Sequence, residues 1–115
     1  MFRIIMTCLF LTLTVPVVAE TVQQRWIGDV PIMDSMTIEA DLGFAFDSPD
    51  GRIVVIYVSG KPDSSELQGY YDMALIPLGW KTVSDLAWQR ESERLVISSA
   101  QIGNAKLWKI AIMPQ

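Results

Sequence analysis

The sequence predicts an α+β fold, in which one twisted antiparallel sheet of five or six strands carries a single amphipathic helix on one face. Three observations predict it. Residues 52–59 read RIVVIYVS, which is apolar on both faces and typical of a central strand. Residues 64–76 repeat apolar side chains at three- and four-residue steps, as one face of a helix does. The other apolar segments are short and separated by turn residues, which favours antiparallel pairing.

The first 19 residues have the layout of a secretory signal peptide. A basic start at Arg3 precedes an apolar run over residues 4–15, and Val17 and Ala19 supply small side chains before a cleavage point. The run is shorter than the ~20 residues that a membrane-spanning helix needs, although an uncleaved anchor is the alternative. We therefore expect a periplasmic or secreted protein that is free of the membrane after cleavage.

The composition excludes several classes of protein. The 115 residues suggest one domain, with a formal net charge of −4 and no polybasic run. Such a chain lacks the basic patch that nucleic acid or an anionic membrane surface requires. It has no histidine, and its one cysteine, Cys8, falls in the expected signal peptide. This removes disulfides, Ser-His and thiol catalysis and the commonest metal ligands, so we expect no enzyme activity, no metal site and no cofactor.

The segment after the signal peptide, residues 20–42, is predicted to be an extended lead-in to a small domain over residues 43–115. Phe44 and Phe46 alternate with smaller residues along the first strand, so both phenylalanines lie on one face. Pro49, Asp50 and Gly51 then suit a type I turn into the central strand. The carboxylates of this turn could offer oxygen ligands to calcium, but the distal Glu of an EF-hand loop is missing.

The helix has clear start and stop signals. Asp63 can accept a hydrogen bond from the first turn, with Glu66 three residues on. Pro77 cannot continue a helix, and Gly79 can reverse the chain. Close packing is the simplest reason for Gly69 inside the helix, where glycine costs roughly 1 kcal/mol against alanine. We expect the helix to pack on the sheet through Leu67, Tyr71, Ala74, Leu75 and Leu78, against Val55, Tyr57, Ile97 and Ile110.

After the helix the pattern returns to strands. We predict a short strand over residues 80–83, a hairpin of residues 86–90 and 94–99, and a last strand over residues 106–113. In the last strand Trp108, Ile110 and Ile112 share one face. Glu91 and Glu93 could in principle act as a catalytic pair, but at this spacing in a hairpin we expect ion pairs with Arg90 and Arg94 across the turn.

Several of these segments together resemble a group of small exported bacterial proteins of unknown function. The matching features are a Val-Pro lead-in, a Gly-Arg-Ile-Val strand, a helix ending in Leu-Gly-Trp and an Arg-Glu-x-Glu-x-Leu hairpin. They are carried here by Val30-Pro31, residues 51–54, Tyr70-Tyr71, Leu75, residues 78–80, Arg90-Glu91, Glu93 and Leu95. The resemblance covers most of the chain after the signal peptide and implies a periplasmic location, with no catalytic residues to carry over.

The remaining candidates for function are aromatic and charged side chains. Large aromatics in a small domain mostly belong to the core, but they can also stack on sugars or anchor a partner. We select Trp88, Arg90 and Trp108 as candidate binding residues. We expect Trp88 to be exposed, because Gln89 and Arg90 flank it near a hairpin tip.

One helix covers only part of a five-strand sheet, so the other face must be polar, hidden by residues 30–42 or used for a partner. We therefore predict a non-enzymatic module that binds an envelope protein through the uncovered face or an edge strand. The alternative is a small ligand- or carbohydrate-binding protein, or a carboxylate-based hydrolase, with a concave pocket. The sequence pattern does not indicate an oligomeric state.

Overall fold

The computed structural model describes residues 21–115, so the expected signal peptide lies outside the described residues. The described residues form one open antiparallel sheet with one main helix, which confirms the α+β class. The strands are β1 Thr37–Ile38, β2 Phe44–Ser48, β3 Gly51–Ser59, β4 Lys81–Ser84, β5 Ala87–Arg90, β6 Glu93–Ile102 and β7 Ala105–Pro114. The helices are α1 Val22–Ile27 and α2 Ser64–Leu75, and a 3-10 turn, Ile76–Leu78, follows α2.

The sheet has the order β1-β3-β7-β6-β5-β4, and β2 pairs with β3 on the same side as β1. All pairings are antiparallel. The described residues thus form a seven-stranded sheet, against the five or six strands expected. The additional strand is β1, whose two residues are too few to give an alternating pattern.

The strand registers define which side chains share a face. Ile56 of β3 pairs with Ile110 of β7, which pairs with Ile97 of β6. These three side chains are buried in the core cluster together with Leu67 and Leu75 of α2. We call this the helix side of the sheet, and the opposite face the helix-free face.

Helix α2 begins and ends where its sequence signals predict. The Asp63 carboxylate accepts a hydrogen bond from the backbone N–H of Glu66 at 2.8 Å. The helix continues into the 3-10 turn at Pro77, and Gly79 stops it with a left-handed φ of 94°. The fully buried residues of α2 are Leu67, Tyr71 and Leu75.

The expected contact of α2 with Val55 and Tyr57 is wrong, whereas Ile97 and Ile110 do lie on the helix side. Val54, Ile56 and Val58 of β3 belong to the core cluster instead. Because β3 is apolar at almost every position, alternation alone cannot tell which set faces the helix. Val55 and Tyr57 therefore belong to the helix-free face.

The N-terminal segment is not the extended lead-in that the sequence predicts, because it begins with helix α1. Thr21 and Gln24 form a reciprocal capping box at its start. Arg52 of β3 donates to the backbone carbonyl of Trp26 at 2.7 Å and so ties the end of α1 to the sheet. Ile27, Val30 and Met36 are then buried in the core cluster. This segment therefore covers the helix side beside α2.

Gly69 does not have the close packing expected of it. A Cβ built at this position meets no atom within 4 Å.

Within the described residues, no helix is long and apolar enough to span a lipid bilayer.

Candidate binding face

Trp88 lies in the core, so its expected exposure is wrong. Its exposed fraction is 0%, and its indole N–H donates to Asp72 Oδ1 at 2.9 Å. The cause is the register: Trp88 pairs with Leu95 on the helix side, where α2 covers both side chains. Polar neighbours in the sequence therefore misled the prediction, because adjacent strand residues point to opposite faces.

Arg90 follows Trp88 by two residues on β5, and its side chain contacts residues of other elements. Its guanidinium pairs with Asp29 at 2.9 Å and donates to the carbonyl oxygen of Leu78 at 3.0 Å. It also lies 4.5 Å from the centroid of the Trp80 ring, a cation–π distance. The hydrogen bond from Arg90 is the largest influence on the Asp29 carboxyl and holds its pKa below the ordinary value. Arg90 thus joins the loop after α1 and the 3-10 turn after α2 to strand β5.

Trp108 lies at the other end of the helix side, on β7. Its indole N–H donates to the carbonyl oxygen of Pro62 at 3.0 Å, and the ring is partly buried against the core cluster. Trp108 pairs with Ser99 in the sheet, whereas Trp88 pairs with Leu95 four residues earlier on β6. The structure therefore does not bring the three predicted residues into one site.

Asp72 of α2 is a hydrogen-bond acceptor for three side chains. Gln68, Thr82 and Trp88 all donate to its Oδ1, at 3.0, 2.8 and 2.9 Å. Partial burial has the largest single effect and by itself raises the pKa of Asp72. The three hydrogen bonds together have a greater opposite effect, so the pKa lies below its ordinary value. Asp72 therefore fastens α2 to β4 and β5 as an ionised carboxylate.

The two carboxylates near the β5–β6 turn have different surroundings. Glu93 pairs with Arg52 at 2.6 Å rather than with an arginine across the turn, and Glu91 occupies the turn itself with a positive φ of 53°. Within residues 21–115 no group of three or more His, Cys, Asp or Glu side chains is placed to hold a metal ion.

The helix-free face carries an exposed aromatic pair. Phe44 and Phe46 of β2 stack at a centroid distance of 5.9 Å, and their exposed fractions are 49% and 47%. They pair with Val55 and Ile53 of β3, so all four side chains lie on this face. Val55 is buried beneath its neighbours. An apolar surface therefore begins at β2 and continues over β3.

The same apolar surface extends across β7 and β6. Ala111 and Met113 of β7 lie on the helix-free face, and Val96 of β6 pairs with Ala111. Met113 is exposed, with an exposed fraction of 40%. From β2 to β4 the face spans five strand spacings, roughly 24 Å. The face is thus a broad surface.

The charged strand residues on the helix-free face are all cations, while a loop carboxylate at its edge, Glu39, accepts a hydrogen bond from Ser59. The registers place Lys109 of β7, Arg94 of β6 and Lys81 of β4 on this face. The acidic strand residues, Asp47 and Glu93, pair with residues of the helix side. Within the described strands, the helix-free face therefore carries cations and no carboxylate, although the chain as a whole is acidic with a formal net charge of −4.

The sheet edge formed by β4 is unsuited to strand addition. All four of its residues are exposed, and its register with β5 shifts between Thr82 and Ser84. A bulge together with a charged residue such as Lys81 discourages pairing at an edge. The broad face is therefore the better candidate surface than this edge.

Sequence reasoning recognised that Phe44 and Phe46 share a face but did not include them in the candidate site. The signal that could have found them is two phenylalanines on a strand next to a tight turn, opposite a strand that is apolar on both faces. Comparison with protein-family models, with curated proteins and with solved structures gives no match. The candidate site therefore depends on the geometry alone.

Proposed function

We propose that this chain is an exported, non-enzymatic module that binds a partner protein through the helix-free face. The observation that supports the proposal best is the stacked pair of Phe44 and Phe46, about half exposed on a sheet face that no helix of the described residues covers. Contiguous exposed apolar surface of this kind is typical of interaction sites. The expected signal peptide supports an envelope location for the partner.

The shape of the face favours a protein partner over a small molecule. Small ligands need a concave site that buries most of their surface. The helix-free face offers exposed aromatic rings at one side and cations at the other. Aromatic and arginine side chains are enriched in the energetically dominant parts of protein interfaces. A protein surface can cover such a broad area, whereas a small molecule would contact only a few of its residues.

The charges indicate the chemistry of the partner. Arg94, Lys109 and Lys81 favour an amphipathic segment that combines apolar residues with aspartate or glutamate. A second copy of this chain using the same face would meet its own cations, because a two-fold interface brings identical patches together. We therefore propose an acidic, amphipathic segment of another protein as the occupant.

Site-specific photocrosslinking can test this proposal. A photoreactive phenylalanine analogue at Phe46 is expected to crosslink to a partner when the protein is expressed in its natural host. The same analogue at Met73, whose exposed fraction of 82% lies on the outer side of α2, is the matched control and is expected to give no such product. The double variant Arg94→Glu/Lys109→Glu should lose the product, whereas Lys61→Glu, in the loop before α2, should keep it.

Three results would contradict the proposal. The first is the same product from Met73 as from Phe46, which would mean non-specific contact. The second is a product that contains only copies of this chain. The third is flotation of the purified protein with anionic phospholipid vesicles together with the absence of any protein crosslink, which would assign the face to a lipid surface.

A further inference from the structure

A second surface lies on the helix side, at the end of the sheet where β6 and β7 continue past their neighbours. The last pair between β3 and β7 is Val58 with Trp108, and the last pair between β5 and β6 is Ala87 with Val96. Beyond these pairs, β6 and β7 form a projecting two-stranded hairpin. A cleft of about 570 Å³ lies on this hairpin, within the size range of ligand sites. Its lining residues are Gly60, Ser99, Ala100, Gln101, Lys106, Leu107 and Trp108.

The Trp108 ring forms a prearranged wall of this cleft. Its only polar atom, the indole N–H, is already used by the carbonyl oxygen of Pro62. The ring is therefore fixed in orientation, and it offers the cleft an apolar surface rather than a hydrogen-bond donor. A flat apolar surface of this kind suits a face of a pyranose ring on which C–H groups point outwards.

Three polar side chains of the cleft lie on the same face as the Trp108 ring. The registers place Ser99, Gln101 and Lys106 on the same face as Trp108. The side-chain hydrogen bonds and ion pairs within residues 21–115 engage Trp108 but none of these three side chains. A hydroxyl, an amide and an ammonium group are thus available beside the ring, and they match the hydroxyl groups and carboxylate of an acidic sugar.

The charge around the cleft selects between neutral and acidic sugars. Among residues 21–115, Lys106 is the one charged residue of its lining, and none of these lining residues carries a carboxylate. Asp63, in the loop that follows Gly60, is engaged as the cap of α2 through the N–H of Glu66. We propose that this cleft binds a saccharide that carries a carboxylate, with Trp108 stacked on the sugar ring, Gln101 and Ser99 bonded to hydroxyls and Lys106 paired with the carboxylate.

This inference is independent of the protein-binding proposal, because the cleft and the helix-free face share no proposed binding residue. The test uses the four tryptophans of the chain. The ¹⁵N-labelled protein is titrated with digalacturonic acid while the indole N–H signals are observed, and the Trp108 signal is identified by its loss in Trp108→Phe. We expect this signal to shift in a saturable way, with little change at Trp26, Trp80 or Trp88.

The role of the charge has its own controls. The dimethyl ester of digalacturonic acid, which lacks the charges, should bind about threefold more weakly, because an exposed ion pair contributes only modestly to affinity. Lys106→Gln should remove the preference for the acid, and Arg25→Gln, at an exposed position in α1, should leave it unchanged. Gln101→Ala, at an exposed position, provides a second variant that weakens binding if Trp108→Phe does not fold.

Two results would overturn the inference. One is the absence of a saturable shift at Trp108 with either sugar, which would leave the cleft without a saccharide. The other is equal binding of the acid and its ester with no effect of Lys106→Gln, which would exclude an acidic ligand class.

Discussion

The two faces of the sheet share the same central strands and have opposite surroundings. On the helix side, Ile56 and Ile110 are buried under α2 and the segment after α1. On the helix-free face, Phe46 and Met113 are close to half exposed, and Met113 pairs with Arg94. β3 contributes apolar side chains to both. The comparison shows that apolar side chains of neighbouring strands are buried on one side of the sheet and in part exposed on the other.

The contrast is also electrostatic. The helix side contains acceptors that are occupied: Asp72 receives three hydrogen bonds, and Glu93 is paired with Arg52. On the helix-free face, Arg94 and Lys109 face no carboxylate of a described strand. The carboxylates of Asp72 and Glu93 on the helix side therefore serve the fold, whereas no carboxylate of a described strand lies beside the cations of the helix-free face. The following variants test this difference.

The largest effect is expected from Ile110→Ala on the helix side. Ile110 is 1% exposed, so truncation removes buried apolar surface and leaves a cavity. We expect a loss of about 2–5 kcal/mol in the free energy of unfolding, measured by urea denaturation. Met113→Ala, on the same strand but on the helix-free face, should cost less than about 1 kcal/mol.

If Ile110→Ala does not fold, Ile110→Val gives a measurable version of the same comparison, with an expected loss of about 0.5–1.5 kcal/mol. Equal losses for Ile110→Ala and Met113→Ala would mean that the helix-free face is buried in the free protein, contrary to the structure.

A smaller loss is expected from Asp72→Asn, which replaces an ionised acceptor of three hydrogen bonds by a neutral amide. We expect about 1–2 kcal/mol at pH 7. The folded-state pKa of Asp72 is lowered from its ordinary value of 3.8, so its contribution is present above that value and is lost as pH falls through the folded-state pKa.

The pH dependence gives a check that the loss at pH 7 alone cannot. The difference between the wild type and Asp72→Asn should shrink as the pH falls from 5 towards 2, when stability is measured by thermal unfolding at each pH. Part of the acid sensitivity should remain in the variant, because the pKa of Asp29 is also lowered, chiefly by its hydrogen bond with Arg90. A constant difference over this range would contradict an ionised Asp72.

The opposite sign is expected for Gly69→Ala. Gly69 lies within α2, and a Cβ at this position meets no atom within 4 Å. Alanine should therefore stabilise the protein by about 0.5–1 kcal/mol, because glycine has the greater freedom to lose on folding. A rise in the midpoint of thermal unfolding checks this, and a fall would mean that the outer side of α2 is packed after all.

The elements that the sequence predicted well are those with local signals. Asp63, Pro77 and Gly79 set the limits of α2 through hydrogen bonding and backbone geometry that involve only their neighbours. Turn residues likewise located the hairpins. The predicted α+β class followed from these local elements, because short connections leave few ways to arrange strands beside one helix.

The features that the sequence did not predict depend on contacts distant along the chain. α1 has only six residues, too few to show a helical period, and it is tied to the sheet by Arg52, which is far away in sequence. Trp88 was expected to be exposed because its neighbours are polar, but its environment is set by its pairing with Leu95 and by α2. The sequence also left open which side chains of β3 face the helix, because both alternating sets are apolar.

The smallest effect on stability, and the sharpest test of the comparison, is expected from Phe46→Thr on the helix-free face. Threonine keeps the preference for a strand, and the phenylalanine ring is already half exposed, so the free energy of unfolding should change by less than about 1 kcal/mol. Loss of the stacked ring should nevertheless reduce the binding of the fluorescent dye ANS to the folded protein, because this dye reports exposed apolar surface. Met73→Thr, which removes an exposed apolar side chain from α2, is the control. An equal decrease in dye binding for both variants would mean that Phe44 and Phe46 are not a distinct apolar site, and a large loss of stability in Phe46→Thr would mean that the ring belongs to the core.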